Sequence, residues 1–264
     1  MICRRRRRLL VPPLSAAVML LVMAGPTAIH AQTTLRVAAY NIRHGSGMDD
    51  QVDLPRIAEV LRALDADVIA LQEVDRNTER TGAVDQVARL AGLLGYRGFH
   101  GAHRPYQGGE YGNAILTRLP VVEVATHPIP EAGGSRLAVH EVQVLAGQGH
   151  TISVVSVHLA GAPEERFAQA DSLTHLFADT EHSVILAGDF NSRRGDRVIG
   201  LLRRDWDIME KDGDADTFPS DAPDREIDFV LLRRGGSFEL VEHTVIDEAM
   251  ASDHRPILAV FRIW

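Results

Sequence analysis

The sequence predicts an α/β fold in which two mixed β-sheets pack face to face and helices cover their outer faces. Three observations carry this. Apolar runs of strand length alternate along the chain with amphipathic stretches at helical spacing. A short glycine-bearing link, Ala146-Gly147-Gln148-Gly149, suits a hairpin, while helix-length stretches elsewhere suit crossovers, so the sheets are mixed. No internal repeat, low-complexity linker or second domain boundary breaks the alternation.

Taken in order, residues 35–41 read as a strand. Residues 54–64 read as a helix, with Ile57, Val60, Leu61 and Leu64 on one face. Residues 67–74 form the next strand, and 84–94 a helix with Val87, Leu90, Ala91 and Leu94 inward. Residues 113–117 and 121–126 are strands flanking a turn at Leu119-Pro120. Residues 137–145 and 151–159 read as an antiparallel pair, followed by a helix over 164–178 and a strand over 183–187. A short helix over 197–203 and strands over 227–232, 239–246 and 255–262 complete the chain.

The N-terminus reads differently. Arg4 to Arg8 is a run of five arginines, residues 9–23 are apolar and uncharged, and small residues lead to Ala31. That is the order of a secretory signal peptide, with cleavage expected between Ala31 and Gln32. Residues 1–31 are thus a signal peptide and 32–264 the domain, exported to the periplasm or secreted. Arg6-Arg7-Arg8-Leu9-Leu10 also fits a twin-arginine export signal. An uncleaved anchor is the alternative, but the apolar run is short for a span of roughly 20 residues and contains Pro12 and Pro13.

Removing 31 of the 264 residues leaves 233, enough for one large domain with a substantial core. The 28 Lys and Arg fall to 23 against 36 Asp and Glu, a balance of −13. Such a chain is a poor non-specific binder of polyanions, so nucleic acid is not the favoured partner. The single cysteine, Cys3, is lost with the leader, which excludes disulfide and thiol chemistry in the mature protein. A monomer is expected.

Polar residues stand at strand ends again and again. They are Asn41, Glu73, Asn113, His158, Asp189 with Asn191 in Gly188-Asp189-Phe190-Asn191, Asp228, and Asp253 with His254 in Ser252-Asp253-His254-Arg255-Pro256. A carboxylate buried without a partner is costly, so such positions point to chemistry. Each alone has a plain structural reading. Asn41 can cap a turn, Glu73 can pair with Arg76, Asp228 can pair with Arg225, and His158 can be a satisfied core histidine. Their number and order argue otherwise.

This ordered set resembles the endonuclease/exonuclease/phosphatase superfamily over residues 35–262. The resemblance implies a DNase I-like four-layer α/β sandwich and a Mg²⁺-dependent phosphoesterase, with Mn²⁺ as the alternative ion. Carried onto this chain, Glu73, Asn41 and Asp253 would serve the metal. Asp228 would orient His254 against the scissile phosphate, and Asp189 and Asn191 would hold the attacking water. His158 would act on the other side of the phosphorus. Either Asp189 or His254 could be the general base.

The loops 75–80 and 105–111 fall on the same side as these residues. Arg76, Arg80, Arg104, Tyr111 and Arg136 are candidates to read substrate, and each arginine could instead balance a surface acid. Tyr111, Arg136 and Asn113 are taken forward as substrate-binding. Asp212-Gly213-Asp214-Ala215-Asp216 has the spacing of a calcium loop without its terminal Glu, and reads as a solvated loop. The long basic, aromatic loops expected of a DNA-gripping enzyme are missing. A small or lipid-derived phosphodiester is therefore the expected substrate, membrane lipid included, with a phosphomonoester as the alternative. A secreted nuclease and a non-catalytic phosphate-binding module are the rival readings.

Overall fold

In the computed structural model, which describes residues 33–147, 149–236 and 238–263, two six-stranded sheets stack with their inner faces interleaved. The expected signal peptide and its cleavage position lie outside the described residues. No helix among the described residues is long and apolar enough to cross a membrane.

The first sheet takes β1 (Thr33–Asn41), β2 (Val68–Arg76), β3 (Arg97–Tyr106), β4 (Gly109–Thr117), β11 (Phe238–Val245) and β12 (Ile257–Ile263), in the order β11-β12-β1-β2-β4-β3. The second takes β5 (Val121–Ala132), β6 (Ser135–Ala146), β7 (His150–His158), β8 (Ser183–Asp189), β9 (Trp206–Ile208) and β10 (Asp228–Arg233), in the order β5-β6-β7-β8-β10-β9. Each sheet has one parallel pair, β1 with β2 and β7 with β8, and the rest are antiparallel. The parallel pairs need crossovers, which α1 (Leu54–Leu64) and α3 (Pro163–Leu176) supply. With α2 (Gln86–Leu94) and α4 (Arg197–Leu202), these helices make the outer layers.

Strand alternation builds the layers. In β1, Leu35, Val37 and Ala39 point between the sheets and meet Val142, Val154, Ile185 and Val230. Ala38 and Tyr40 point the other way, onto Ile57, Leu61 and Leu64 of α1. In the second sheet, Val155, Val157 and Leu186 turn outward onto Leu173 of α3 and Ile199 of α4. Three apolar layers between four layers of structure follow from that period of two.

Two strands were absent from the sequence-based expectation. β3 is an edge strand whose residues do not alternate cleanly between buried and exposed, and it carries Gly98, Gly101 and Pro105. β9 is only three residues long. The helix expected from residue 84 begins at Gln86, because Asp85 caps it by accepting from the Ala88 N–H.

Candidate active site

Three strands of the second sheet end level. His158 lies opposite Asp189 in the parallel β7–β8 pair, and Asp228 lies opposite Asp189 in the antiparallel β8–β10 pair. A histidine and two aspartates thus stand side by side at one sheet end. Gly188 permits this. A Cβ there would stand 2.1 Å from the Val157 carbonyl oxygen and 2.7 Å from Gln72 Nε2.

The first sheet contributes from the facing edge. Asn41 lies opposite Gln72 in the β1–β2 pair, so Glu73 follows directly. Glu73 occupies a bulge in β2 with φ of 57°, a left-handed conformation that an L-residue adopts at a cost. Ser252 Oγ donates to the Asn41 carbonyl at 2.7 Å, which pins the 252–254 segment beside the end of β1. The amide nitrogen of Asn41 then lies 3.1 Å from Glu73 Oε1, 3.2 Å from Asp189 Oδ2 and 3.5 Å from His254 Nε2. One side chain therefore joins the contributions of the two sheets.

His254 is fixed from both ends. Its Nδ1 donates to Asp228 Oδ2 at 3.0 Å, and its Nε2 lies 3.7 Å from Asp189 Oδ2. Asp228 Oδ2 also accepts from Thr217 Oγ1 at 2.6 Å. Burial alone would push the imidazole pKa down. The Asp228 and Asp189 carboxylates override burial and raise it to about 10. Burial pushes the Asp189 carboxyl up, against the pull of His254. His254 has a dedicated partner in Asp228, which favours an imidazolium beside the Asp189 carboxyl.

His158 approaches the same oxygen from β7, with Nε2 at 3.5 Å from Asp189 Oδ2, while its buried Nδ1 has no partner. Asn191, at φ of 49°, turns the chain back. Its N–H donates to Asp189 Oδ1 at 2.7 Å, and its amide donates to the Leu159 carbonyl at 2.9 Å.

The pairs considered from sequence fall elsewhere. Arg76 pairs with Glu110 and Arg225 with Asp224, leaving Glu73 and Asp228 to the site. Among the described residues Glu73 has no cationic partner, only the Asn41 amide. Asp253 has Arg43 at 3.9 Å. A half-buried, uncompensated carboxylate with a second acid nearby fits a hard divalent cation that keeps waters in its shell. Asn41 turns its oxygen to the Arg43 N–H (3.1 Å), so it presents NH₂ rather than oxygen to the site. Asp189, Asp228 and His254 also bring potential ligand atoms within 4.8 Å of one another and could hold a metal. There, however, Asp228 Oδ2 is already taken by Thr217 and His254. Glu73 is the freer ligand.

The expected substrate-binding residues scatter. Tyr111 lines a cleft of about 320 Å³ together with His158, Leu159 and Arg104, whose guanidinium lies 5.2 Å from the Tyr111 ring centroid. Asn113 is fully buried and donates to the Ser156 carbonyl at 3.0 Å, tying the two sheets together behind the cleft. Arg136 sits on an exposed hairpin, its side chain 82 % exposed and 3.8 Å from Glu131, and lines neither this cleft nor the pocket beside His254.

Sequence reasoning missed the support behind Asp228. Lys211, the chain's single lysine, has a fully buried side chain. Its Nζ donates to the Asp228 carbonyl at 2.8 Å and lies 2.5 Å from Glu226 Oε1. Arg194 clamps the same Glu226 at 2.7 and 2.8 Å. Phe218 packs on His254 with ring centroids 4.8 Å apart. The one available signal was a lone lysine and the Thr217-Phe218 pair in an otherwise acidic loop. Asp212 and Asp214 of that loop are exposed, as expected, and Asp212 also accepts from the His243 N–H.

A four-layer sandwich with paired acids and histidines where its two sheets meet defines a phosphoester hydrolase of the DNase I-like type. The chain belongs to the endonuclease/exonuclease/phosphatase family, whose profile matches residues 38–254. Enzymes of this superfamily depend on divalent metals. The chain is 26 % identical over 174 residues to the uncharacterized protein YbhP of Escherichia coli K12, covering 62 % of this chain and 69 % of YbhP. It superposes on an endonuclease/exonuclease/phosphatase from Beutenbergia cavernae with a TM-score of 0.72 at 26 % identity, covering 88 % of this chain and 72 % of that one. A mannosyl-6-phosphatase from Bacteroides thetaiotaomicron shares the fold, with a TM-score of 0.67 at 18 % identity over 86 % of this chain and 99 % of that one.

Proposed function

We propose that this protein is an exported, Mg²⁺-dependent hydrolase that cleaves a small or lipid-derived phosphodiester by direct attack of water. The single observation that carries the reading is the Asp228–His254–Asp189 array. It sets an imidazolium and a basic carboxylate side by side.

In that arrangement Asp189 is the general base. It takes a proton from water as the oxygen attacks phosphorus, and Asn191 holds it in place by donating to Oδ1. His254 stays protonated on Asp228 and presents Nε2–H to a phosphoryl oxygen as negative charge grows there. His158 donates on the other side, toward the leaving oxygen as the P–O bond breaks. A divalent ion held by Glu73 and Asp253 would supply Lewis-acid neutralisation of the same charge. Tyr111 and Arg104 would seat one substituent of the phosphate in the cleft beside His158. Export rests on the arginine run and the apolar stretch that follows it. It is tested by the N-terminal residue of protein recovered outside the cytoplasm, expected at Gln32.

A nuclease is the second reading, and one observation favours it: Arg166, Arg193 and Arg225 gather in a pocket that reaches His254. A panel of plasmid DNA, RNA, sphingomyelin, glycerophosphodiesters and a chromogenic phosphodiester, each with Mg²⁺ and with EDTA, separates the two. Turnover confined to the nucleic acids would replace the first reading with the second.

A further inference from the structure

The scissile centre is flanked by two cavities rather than one. The first is the cleft of Tyr111 and Arg104, lined by His158 and Leu159. The second, about 380 Å³, is lined by His254, Asn191, Phe218, Arg166, Arg193 and Arg225. They share a wall, because Asn191 of one donates its amide to the Leu159 carbonyl of the other. A diester has two substituents to place, and each cavity reaches one of the two histidines that face Asp189.

The second cavity has a chemistry of its own. Arg166 Nε is buried and has no partner, and the exposed Arg193 side chain makes no hydrogen bond or ion pair among the described residues. The one acid lining the pocket, Asp196, spends Oδ2 on the backbone N–H of Arg193 at 2.8 Å. Arg225 is different. It pairs with Asp224 at 2.6 Å and lies over Phe218 at 5.1 Å, so it walls the pocket with the ring that packs on His254. Two forked donors with no anion to satisfy them, in a chain of net charge −8, suit a group with several anionic oxygens.

We propose that this pocket is a subsite for a second phosphate of the substrate, and that it makes the enzyme prefer diesters phosphorylated next to the scissile group. This rests on the phosphodiesterase reading above and sharpens its substrate class. The second phosphate could belong to a neighbouring nucleotide or to a phosphorylated polyol headgroup, and both offer the same oxygens to Arg166 and Arg193.

The test compares two substrate pairs with Mg²⁺: thymidylyl-thymidine with its 5′-phosphorylated form, and glycerophosphoglycerol with its terminally phosphorylated form. The wild-type protein is expected to favour the phosphorylated member of at least one pair by tenfold or more in kcat/KM. That pair identifies the source. In Arg166→Met and Arg193→Met the preference should fall to near one, chiefly through KM. Binding of inorganic pyrophosphate in EDTA, read by calorimetry, should weaken at least tenfold in the double variant. No preference in either pair overturns the proposal, and so does equal loss on both members of a pair. If no diester is hydrolysed at all, the phosphodiesterase reading fails. The subsite is then decided by pyrophosphate alone, and unchanged binding in the double variant overturns it.

Discussion

His254 donates from Nδ1 to Asp228 at 3.0 Å, a bond that favours the charged imidazole beside Asp189. With its pKa raised to about 10, His254 is charged across the neutral range. In the proposed mechanism the proton of the attacking water goes to Asp189, whose carboxyl burial pushes up.

The sign of the pH dependence follows. His254 has a folded-state pKa above its ordinary 6.5, so its stabilising contribution is complete below about 6.5 and is lost as pH rises through about 10. Activity should fall on an alkaline limb near pH 10. Asp228→Asn removes the chief cause and should bring that limb toward neutrality by more than one pH unit. The kcat/KM profile of the two proteins measures this, and an unmoved limb would assign it to another group.

Asp189→Asn keeps the volume and removes the base. Turnover should drop on the order of 10²–10⁴-fold, the usual range for a general base, with a melting temperature close to that of the wild type. Thermal melts alongside single-turnover rates distinguish this from a structural role, in which the protein would unfold instead.

Glu73→Gln removes the site's one uncompensated carboxylate. The Mg²⁺ concentration giving half-maximal activity should rise at least tenfold, while the far-ultraviolet circular dichroism stays unchanged. An unshifted Mg²⁺ titration would move the metal to the Asp189–Asp228–His254 cluster.

Lys211→Met leaves Glu226 with Arg194 alone and removes the donor holding the Asp228 carbonyl. Breaking a buried pair from one side costs about 3–5 kcal/mol, and the lower end is expected because Arg194 remains. Denaturant unfolding gives the number. Lys211→Arg should recover part of the stability.

Gly188→Ala should disrupt the junction of β7, β8 and β2. The new Cβ would stand 2.1 Å from the Val157 carbonyl, which is backbone and cannot swing aside. A loss of about 1–3 kcal/mol or more is expected from overpacking of this kind, readable as a lowered melting temperature. Wild-type stability would mean that the strands separate more easily than their register implies.

The site was legible where polar residues interrupt apolar strands. Asn41, His158, Asp189 and Asp228 end or begin largely buried strands, Glu73 sits in a bulge of β2 and His254 just ahead of β12, and the structure gathers them at one edge of the two sheets. What stayed hidden was fixed by contacts distant in sequence. Thr217 and Lys211 reach Asp228 from a loop whose acids read as solvated, because a lysine's burial depends on Glu226 and Phe229, which the local sequence does not show. Arg136 reads as a substrate contact in the sequence, yet the hairpin carries it to an exposed position next to Glu131. β3 lacked the clean alternation that marks a strand because it lies on the sheet edge.

The most direct test is hydrolysis of bis(p-nitrophenyl) phosphate by the purified domain, residues 32–264, with saturating Mg²⁺ or with EDTA, for wild type, Asp189→Asn and His254→Gln. The account predicts turnover that needs Mg²⁺, is abolished by EDTA and falls at least a hundredfold in both variants. Wild-type turnover that survives EDTA, or variants as active as the wild type, would contradict it.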